Sequence, residues 1–210
     1  MKGYSVQPIA YDETKSWLLH RHYAKRMPPI QQAYGLYRGA DLVGIITYGI
    51  PASNHLCRGL AGAEYANIVW ELNRLCLLNN KKNEASYLIS QSLNKIESPK
   101  IVVSYADTKH GHIGFCYQAT NFYYSGPTDY GRKPRFDRPT GRGHSRHHKN
   151  IDCEAIPRKP KHRYIYFVGT KRQKKEMKAA LRYPILPYPK GETKRYEVPE
   201  IQERQLRLFT

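Results

Sequence analysis

Long apolar runs are missing from this chain. No stretch approaches the ~20 residues that a membrane-spanning helix needs, and no signal-peptide pattern opens the sequence. Cysteine is scarce: Cys57, Cys76, Cys116 and Cys153 are the four in 210 residues, and no two have CxxC spacing. That excludes a disulfide scaffold and leads us to expect a reducing, intracellular setting with free thiols. Cys76 and Cys116 lie in apolar contexts and are expected in the core. Acidic residues are the third shortage. Asp and Glu total 17 against 35 Lys and Arg, a formal net charge of +18. Charged residues as a class are an ordinary 25%, which is not the composition of a disordered polyelectrolyte. So one-sided a balance favours a polyanionic partner, most simply nucleic acid.

The charge is unevenly placed: residues 1–129 carry +4 and residues 130–210 carry +14. The first part reads as a globular enzyme domain and the rest as its grip on an anion. Residues 12–23 predict a short amphipathic helix, capped by Asp12, with Trp17, Leu18 and Leu19 inward. Two β-rich runs, 32–37 and 42–49, flank a Gly-containing turn and predict a hairpin. Residues 51–66 read as a loop. A strand over 68–78, a polar turn over 79–84, a helix over 85–97 and a strand over 101–106 follow. Residues 112–122 predict a helix, 121–126 a strand, 163–169 a strand and 171–181 a basic helix. Residues 183–189 read as extended, and 200–208 as a short terminal helix. The order is that of an α/β fold with a mixed sheet. In the strand–turn–helix unit, Asn83, Glu84, Ala85 and Ser86 open a helix whose amides could hold a diphosphate, and Ala85 and Ser86 are small enough for close approach.

This layout resembles the GNAT acyltransferases: hairpin, strand, phosphate turn, helix, strand, then a helix with Tyr117 that runs into Ala119-Thr120-Asn121-Phe122. The usual Gly-rich pyrophosphate turn is replaced by Asn80-Lys81-Lys82-Asn83-Glu84-Ala85. A narrower resemblance is carried by Ser104-Tyr105-Ala106-Asp107, Gly111 to Ala119 and Tyr123-Tyr124-Ser125-Gly126. His22-Tyr23, Glu71 to Leu75, Lys171-Arg172 and Pro187 to Lys190 add to it. Together these are similar to the phage Mom family over roughly residues 15–190. The resemblance implies a GNAT-like fold: a mixed, mostly antiparallel sheet flanked by helices, with a basic insertion and a C-terminal extension. It divides the chain into a catalytic core over 1–129, a basic Pro/Arg/His-rich insertion over 130–162 for nucleic acid, and a completing strand, basic helix and extension over 163–210. It implies an enzyme that converts adenine in double-stranded DNA to its N6-carbamoylmethyl form, in the cytoplasm of the infected bacterium, as protection from restriction. It also implies acetyl-CoA or another acyl-CoA between the strands 68–78 and 101–106, against Cys76, Leu78, Asn83, Ala85 and Ser86. The alternatives are a GNAT N-acetyltransferase for RNA, protein or a small amine, and a non-catalytic DNA-binding protein on the same scaffold.

The candidate catalytic residues are His22, Glu71, Arg74, Ser104, Asp107 and Tyr117. Ser104 and Asp107 stand at a strand end, where open α/β sheets place ligands. There Asp107 could take a proton from an amine that Ser104 orients, or it could cap the next helix while Ser104 merely packs. Glu71, Asn73 and Arg74 interrupt an apolar strand, with Glu71 and Asn73 on one face and Arg74 on the other by alternation. Each then needs a partner or a ligand, because an unpaired buried charge is costly. His22 is a base, a metal ligand or a surface histidine, and Tyr117 is a general acid or a packed ring. Tyrosine supplies 18 of 25 aromatic residues, and tyrosines in a basic protein can stack on bases.

The candidate nucleic-acid contacts are Arg132, Lys133, Arg135, Arg138, Arg142, Arg146, Lys171 and Arg172. His144, His147, His148 and Cys153 do not have the spacing of a standard zinc site, and the arginines and lysine among them suit phosphate better. Whether a metal is used is open. Neutralising Arg132, Lys133, Arg135 and Arg138 together is expected to weaken DNA binding and to flatten its salt dependence by ~0.9 in log–log slope per lost phosphate contact. An unchanged slope in a salt titration would remove this segment from the interface.

Overall fold

The computed structural model describes residues 1–128, 136–137, 156–157 and 159–191. In chain order the elements are β1 (Tyr4–Pro8), α1 (Tyr11–Ser16), β2 (Gln32–Arg38), β3 (Asp41–Gly49), α2 (Asn54–Ala61), β4 (Val69–Leu77), α3 (Glu84–Leu93) and β5 (Lys100–Asp107). There follow α4 (Phe115–Gln118), β6 (Tyr123–Pro127), β7 (Phe136–Asp137), β8 (Ile156–Pro157), β9 (Lys161–Val168) and α5 (Lys171–Ala179). Seven strands form one sheet in the order β1-β2-β3-β4-β5-β9-β6, and β7 pairs with β8 apart from it. Every neighbour in the large sheet is antiparallel except β4 and β5. The expected mixed, mostly antiparallel sheet flanked by helices is therefore present. No helix among the described residues is long and apolar enough to cross a membrane.

Helices cover both faces of the sheet. On one face Leu88, Ile89 and Leu93 of α3, with Tyr117 and Phe122 around α4, pack against Leu72, Leu77, Val102 and Tyr164. On the other, Cys57 and Leu60 of α2 and Met177 of α5 pack against Val69, Ile101, Val103, Ile165 and Phe167. A smaller cluster joins Trp17 and Leu18 to Ile45 and Cys76. The described cysteines, Cys57, Cys76 and Cys116, are free thiols, the first two buried and Cys116 half-buried.

Several local expectations change. β1 was not foreseen; of its five residues only Val6 is buried, and it lacks the apolar run of a buried strand. The predicted 12–23 helix begins at Tyr11, capped by Glu13, whose carboxylate accepts the Ala10 amide at 2.7 Å. Asp12 instead pairs with Lys15 at 2.6 Å. The helix widens into a π-type turn over Trp17–Arg21, closed by the His22 amide on the Trp17 carbonyl at 2.9 Å. That widening buries Trp17 and Leu18 and leaves Leu19 exposed. The 51–66 loop is α2 plus a 3-10 turn, Ala63–Ile68. Ser53 caps α2 through the Leu56 amide, and Cys57, Leu60 and Ala61 form its buried face, a pattern hidden in sequence by Gly, Ala and Asn. The 112–122 helix shrinks to the four residues of α4, because Gly114 (φ 90°) and Asn121 (φ 61°) take left-handed conformations on either side.

The ends of β6 and β9 are tied together. The Thr128 amide donates to the Lys161 carbonyl at 2.9 Å, and the Lys161 amide donates to the Thr128 hydroxyl at 3.0 Å.

Gly49 ends β3 opposite Glu71, and a methyl group there would collide with the Pro29 carbonyl. Gly49→Ala is expected to lower stability by ~1–3 kcal/mol, read as a fall in melting temperature. An unchanged melt would mean that the 22–31 loop does not pack on β3 as described.

Candidate active site

The parallel ladder between β4 and β5 has only three pairs, Val69↔Ile101, Trp70↔Val102 and Glu71↔Val103. Beyond them the strands diverge. The hydroxyl of Ser104, 1% exposed, donates to the Leu72 carbonyl at 2.9 Å and closes the apex of the opening. A cleft of about 700 Å³ lies in the opening. It reaches from Asn83, Ala85 and Ser86 at the start of α3 to Glu71, Arg74 and Tyr105 on the opposite face of the sheet.

A β-bulge sets the second half of this site. Thr47 pairs with Arg74 and Tyr48 with Leu72, so Asn73 is an extra residue. Leu72, Leu75 and Leu77 consequently all join the α3-side core. The strict alternation expected for this strand is broken, and Arg74 lies on the same face as Glu71 rather than across from it. Asn73 itself is a strut: its side chain accepts from Thr47 at 2.5 Å and donates to the Pro29 carbonyl at 2.7 Å. Arg74 donates to the Asn73 carbonyl at 2.6 Å, and its Nε is buried with no partner among the described residues.

The two carboxylates differ in circumstance. Asp107, 9% exposed, caps the turn after β5 by accepting the Lys109 amide at 3.0 Å and pairs with Lys161 Nζ at 2.8 Å. Burial pushes its pKa up, but the Lys161 bond and charge and the Lys109 amide outweigh this and hold it below the ordinary value. Glu71 lines the cleft. Burial raises its pKa, and the charges of Arg74, Lys161 and Arg26 only partly oppose the rise. Asp107, Ser104 and Leu78 are not cleft-lining residues; Leu78 packs against the Trp17 cluster.

His22 is buried beside the cleft, and its Nδ1 accepts the Ala24 amide at 3.0 Å, which assigns the proton of the neutral ring to Nε2. Burial, then Arg74, His112 and His110, push its pKa down to about 3. Its ring stacks on Tyr23 at 4.3 Å, and Tyr23 meets His110 at 4.4 Å. Tyr117 lines the cleft between Phe122 and Tyr164, with ring centroids at 5.3 and 5.2 Å. Burial raises its phenol well above the ordinary value, against a hydrogen bond with Ser104.

At the other end, Asn80 and Asn83 take positive φ (43° and 68°), which turns the chain sharply before α3. Asn83 makes no side-chain cap, so the first amides of α3 keep no intrahelical acceptor. Glu84, 2% exposed, braces the turn from behind by accepting from the Lys81 amide at 2.8 Å and from Tyr4 at 2.9 Å. Lys81, Lys82, Ala85 and Ser86 face the cleft, as does Cys76, whose thiol burial pushes up to about 11. These residues fit a diphosphate: two cations, small side chains and open helix amides.

The cleft thus gathers His22, Glu71, Arg74, Tyr117, Cys76, Asn83, Ala85 and Ser86 from the expected set. It adds Arg26, Tyr105, His112 and Lys161, which sequence reasoning did not single out. Period-2 alternation through Val103 could have placed Tyr105 on the Glu71 face. Lys161 comes only from the pairing of β9 with β5, which has no local signal. Lys171 and Arg172 lie in the exposed first turn of α5, away from the cleft lining, and Arg172 pairs with Glu176 at 2.8 Å. Arg132, Lys133, Arg135, Arg138, Arg142 and Arg146 lie outside the described residues, as do His144, His147, His148 and Cys153. Among the described residues no three His, Cys, Asp or Glu side chains are grouped to hold a metal.

Comparison with known proteins gives one family: the Mom protein family matches residues 3–190. The methylcarbamoylase mom of Escherichia phage Mu is 27% identical over 216 residues, covering 90% of this chain and 86% of that protein. Among solved structures, a Bacillus subtilis acetyltransferase in complex with CoA aligns with a TM-score of 0.45 at 12% identity, covering 79% of this chain and 98% of that one. A GNAT-family acetyltransferase from Bacillus cereus aligns with a TM-score of 0.44 at 12% identity, covering 80% and 99%.

Between pH 6.5 and about 3 the unfolded chain binds a proton at His22 that the folded chain refuses. Stability from this group is therefore complete above ~6.5 and is lost as the pH falls toward 3. His22→Asn is expected to flatten the loss of stability between pH 6.5 and 4.5, where most carboxylates stay ionised. Equal slopes in denaturant titrations across that range would mean that His22 is not held neutral.

Proposed function

The chain belongs to the Mom protein family, and from that premise we propose that it is a phage DNA-modifying transferase that places a carbamoylmethyl group on N6 of adenine. The modification would shield the phage genome from restriction in the host cytoplasm. The observation that carries the reading is a cleft open to both faces of the sheet, with phosphate-binding features at one end and a half-buried carboxylate among cations at the other. Such a cleft accommodates a donor from one side and a nucleotide from the other. The +18 chain and the exposed cations of α5 suit a duplex as the partner.

Adenine N6 is delocalised into its ring and is paired in the duplex, so the base leaves the stack to react. A new bond from N6 to a methylene carbon requires N6 to lose a proton. Glu71 is the cleft-lining carboxylate, and its raised pKa brings it closer to neutrality, which suits a general base. Asp107, with both oxygens engaged and its pKa lowered, holds Lys161 at the rim instead. Arg74 compensates the charge of Glu71, and the neutral His22 offers an Nε2 proton as a hydrogen-bond donor. Tyr117 remains protonated beside the apex. Lys81, Lys82 and the amides of Ala85 and Ser86 would hold the diphosphate of an acyl-CoA, whose thioester alone would give an N-acetyl group; the carbamoylmethyl product additionally requires an amine donor that displaces CoA and a two-electron oxidant that takes up the hydrogens lost as the N6–methylene bond forms.

Expression beside a plasmid, followed by mass spectrometry of its nucleosides, tests this reading. Carbamoylmethyl-adenosine is expected, together with resistance of the plasmid to restriction. An acetylated nucleoside, lighter by one nitrogen and one hydrogen, would assign plain acetyl transfer; no modified nucleoside would overturn the DNA reading. Glu71→Gln is expected to cut product on the order of 10²-fold. A carboxyl whose folded pKa is raised costs stability as the pH rises through that value, so the variant should melt no lower than wild type at neutral pH. Normal modification by a folded Glu71→Gln protein would displace Glu71 from the chemistry.

A further inference from the structure

One polar cleft group on the Glu71 face has no part in the steps above. Tyr105 stands two residues beyond Val103, the ladder partner of Glu71, and so projects to the same face. Both side chains line the cleft, and the charge of Glu71 acts on the phenol. Across the sheet, Tyr105 is the direct partner of Arg163. Arg163 is 6% exposed, its guanidinium lies 4.2 Å from the Tyr183 ring, and its Nε has no partner among the described residues. Burial lifts the phenol to about 12, while the charge of Arg163 pulls the other way. The phenol of Tyr105 thus keeps its proton and stands between Arg163, its neighbour across the sheet, and the Glu71 side of the cleft.

We propose that Tyr105 determines base specificity: its hydroxyl donates to the ring nitrogen beside the exocyclic amine of the acceptor base, while the Glu71 carboxylate accepts from that amine. Arg163 is a positioning residue behind it. The inference rests on the adenine reading above. Side by side, a carboxylate acceptor and a phenol donor match an amine next to a ring nitrogen, which adenine presents as N6 with N1 or N7. Guanine presents O6 to the carboxylate, acceptor against acceptor, and is rejected. Thymine likewise offers a carbonyl. Cytosine offers the pair only on its N3 side, so contact at N7 would exclude it as well.

The test uses three DNA substrates that contain adenine, 1-deazaadenine or 7-deazaadenine, with modification measured by nucleoside mass spectrometry. On adenine, Tyr105→Phe is expected to lose ~10- to 100-fold. On the analogue that lacks the contacted nitrogen, wild type should fall by a similar factor, and Tyr105→Phe should cost nothing further. Arg163→Met should show the same substrate-dependent pattern, whereas a structural loss would fall equally on all three DNAs. The substrate arm uses wild-type protein and stands even if a variant fails to fold. Two results overturn the proposal: a Tyr105→Phe cost equal on all three DNAs, or wild type modifying both analogues as fast as adenine. Wild type that modifies no adenine at all overturns the adenine reading itself.

Discussion

A parallel ladder only three pairs long is the constraint on which the cleft depends. Glu71 and Val103 are the last residues of β4 and β5 in register, and the divergence after them would strand the buried Leu72 carbonyl. An unpaired buried carbonyl costs ~1–3 kcal/mol, and the Ser104 hydroxyl removes that cost by bridging the gap. The opening is held from the other edge too. The extra residue Asn73 turns Arg74 onto the Glu71 face and ties β4 to Thr47 and the Pro29 carbonyl. The sheet can therefore part in its middle without leaving the Leu72 carbonyl unmet.

Burial at one and Lys161 at the other shift the two carboxylates of this region in opposite directions. Asp107 sits where a lysine and an amide satisfy both of its oxygens, and its proton affinity drops. Glu71 sits where burial dominates, and its affinity rises. Environments that separate similar groups in this way separate their roles. The site is consequently cationic overall without being uniformly so: Lys81 and Lys82 at one end have the charge to suit a phosphate, and Glu71 at the other has the charge to suit an amine.

The strands and helices between residues 68 and 107 were legible because apolar periodicity and a polar turn determine them locally. What lay at the helix ends was not. The helix expected over 112–122 is apolar enough, yet Gly114 and Asn121 hold left-handed conformations that hydrophobic spacing does not register. His22, Glu71, Arg74 and Tyr117 were visible as polar or aromatic residues in costly positions, and the cleft does collect them. The relation of Glu71 to Arg74 was misread, because a bulge depends on the opposing strand and leaves no trace in β4 itself. Lys161 needed the register of β5 on β9, a pairing across more than fifty residues of chain. Asp107 looked like a base by its place at a strand end; only the cross-strand lysine distinguishes a base from a brace.

The mutual hydrogen bonds of Thr128 and Lys161 have an architectural consequence. The chain departs from the sheet and rejoins it at one clasped point, and the same Lys161 whose backbone forms the clasp extends its side chain to the rim of the cleft. Closure entropy grows only as the logarithm of loop length, so lengthening what lies between the two ends adds little closure cost. The clasp works as a socket: it fixes, beside the opening, the point at which the intervening segment is attached.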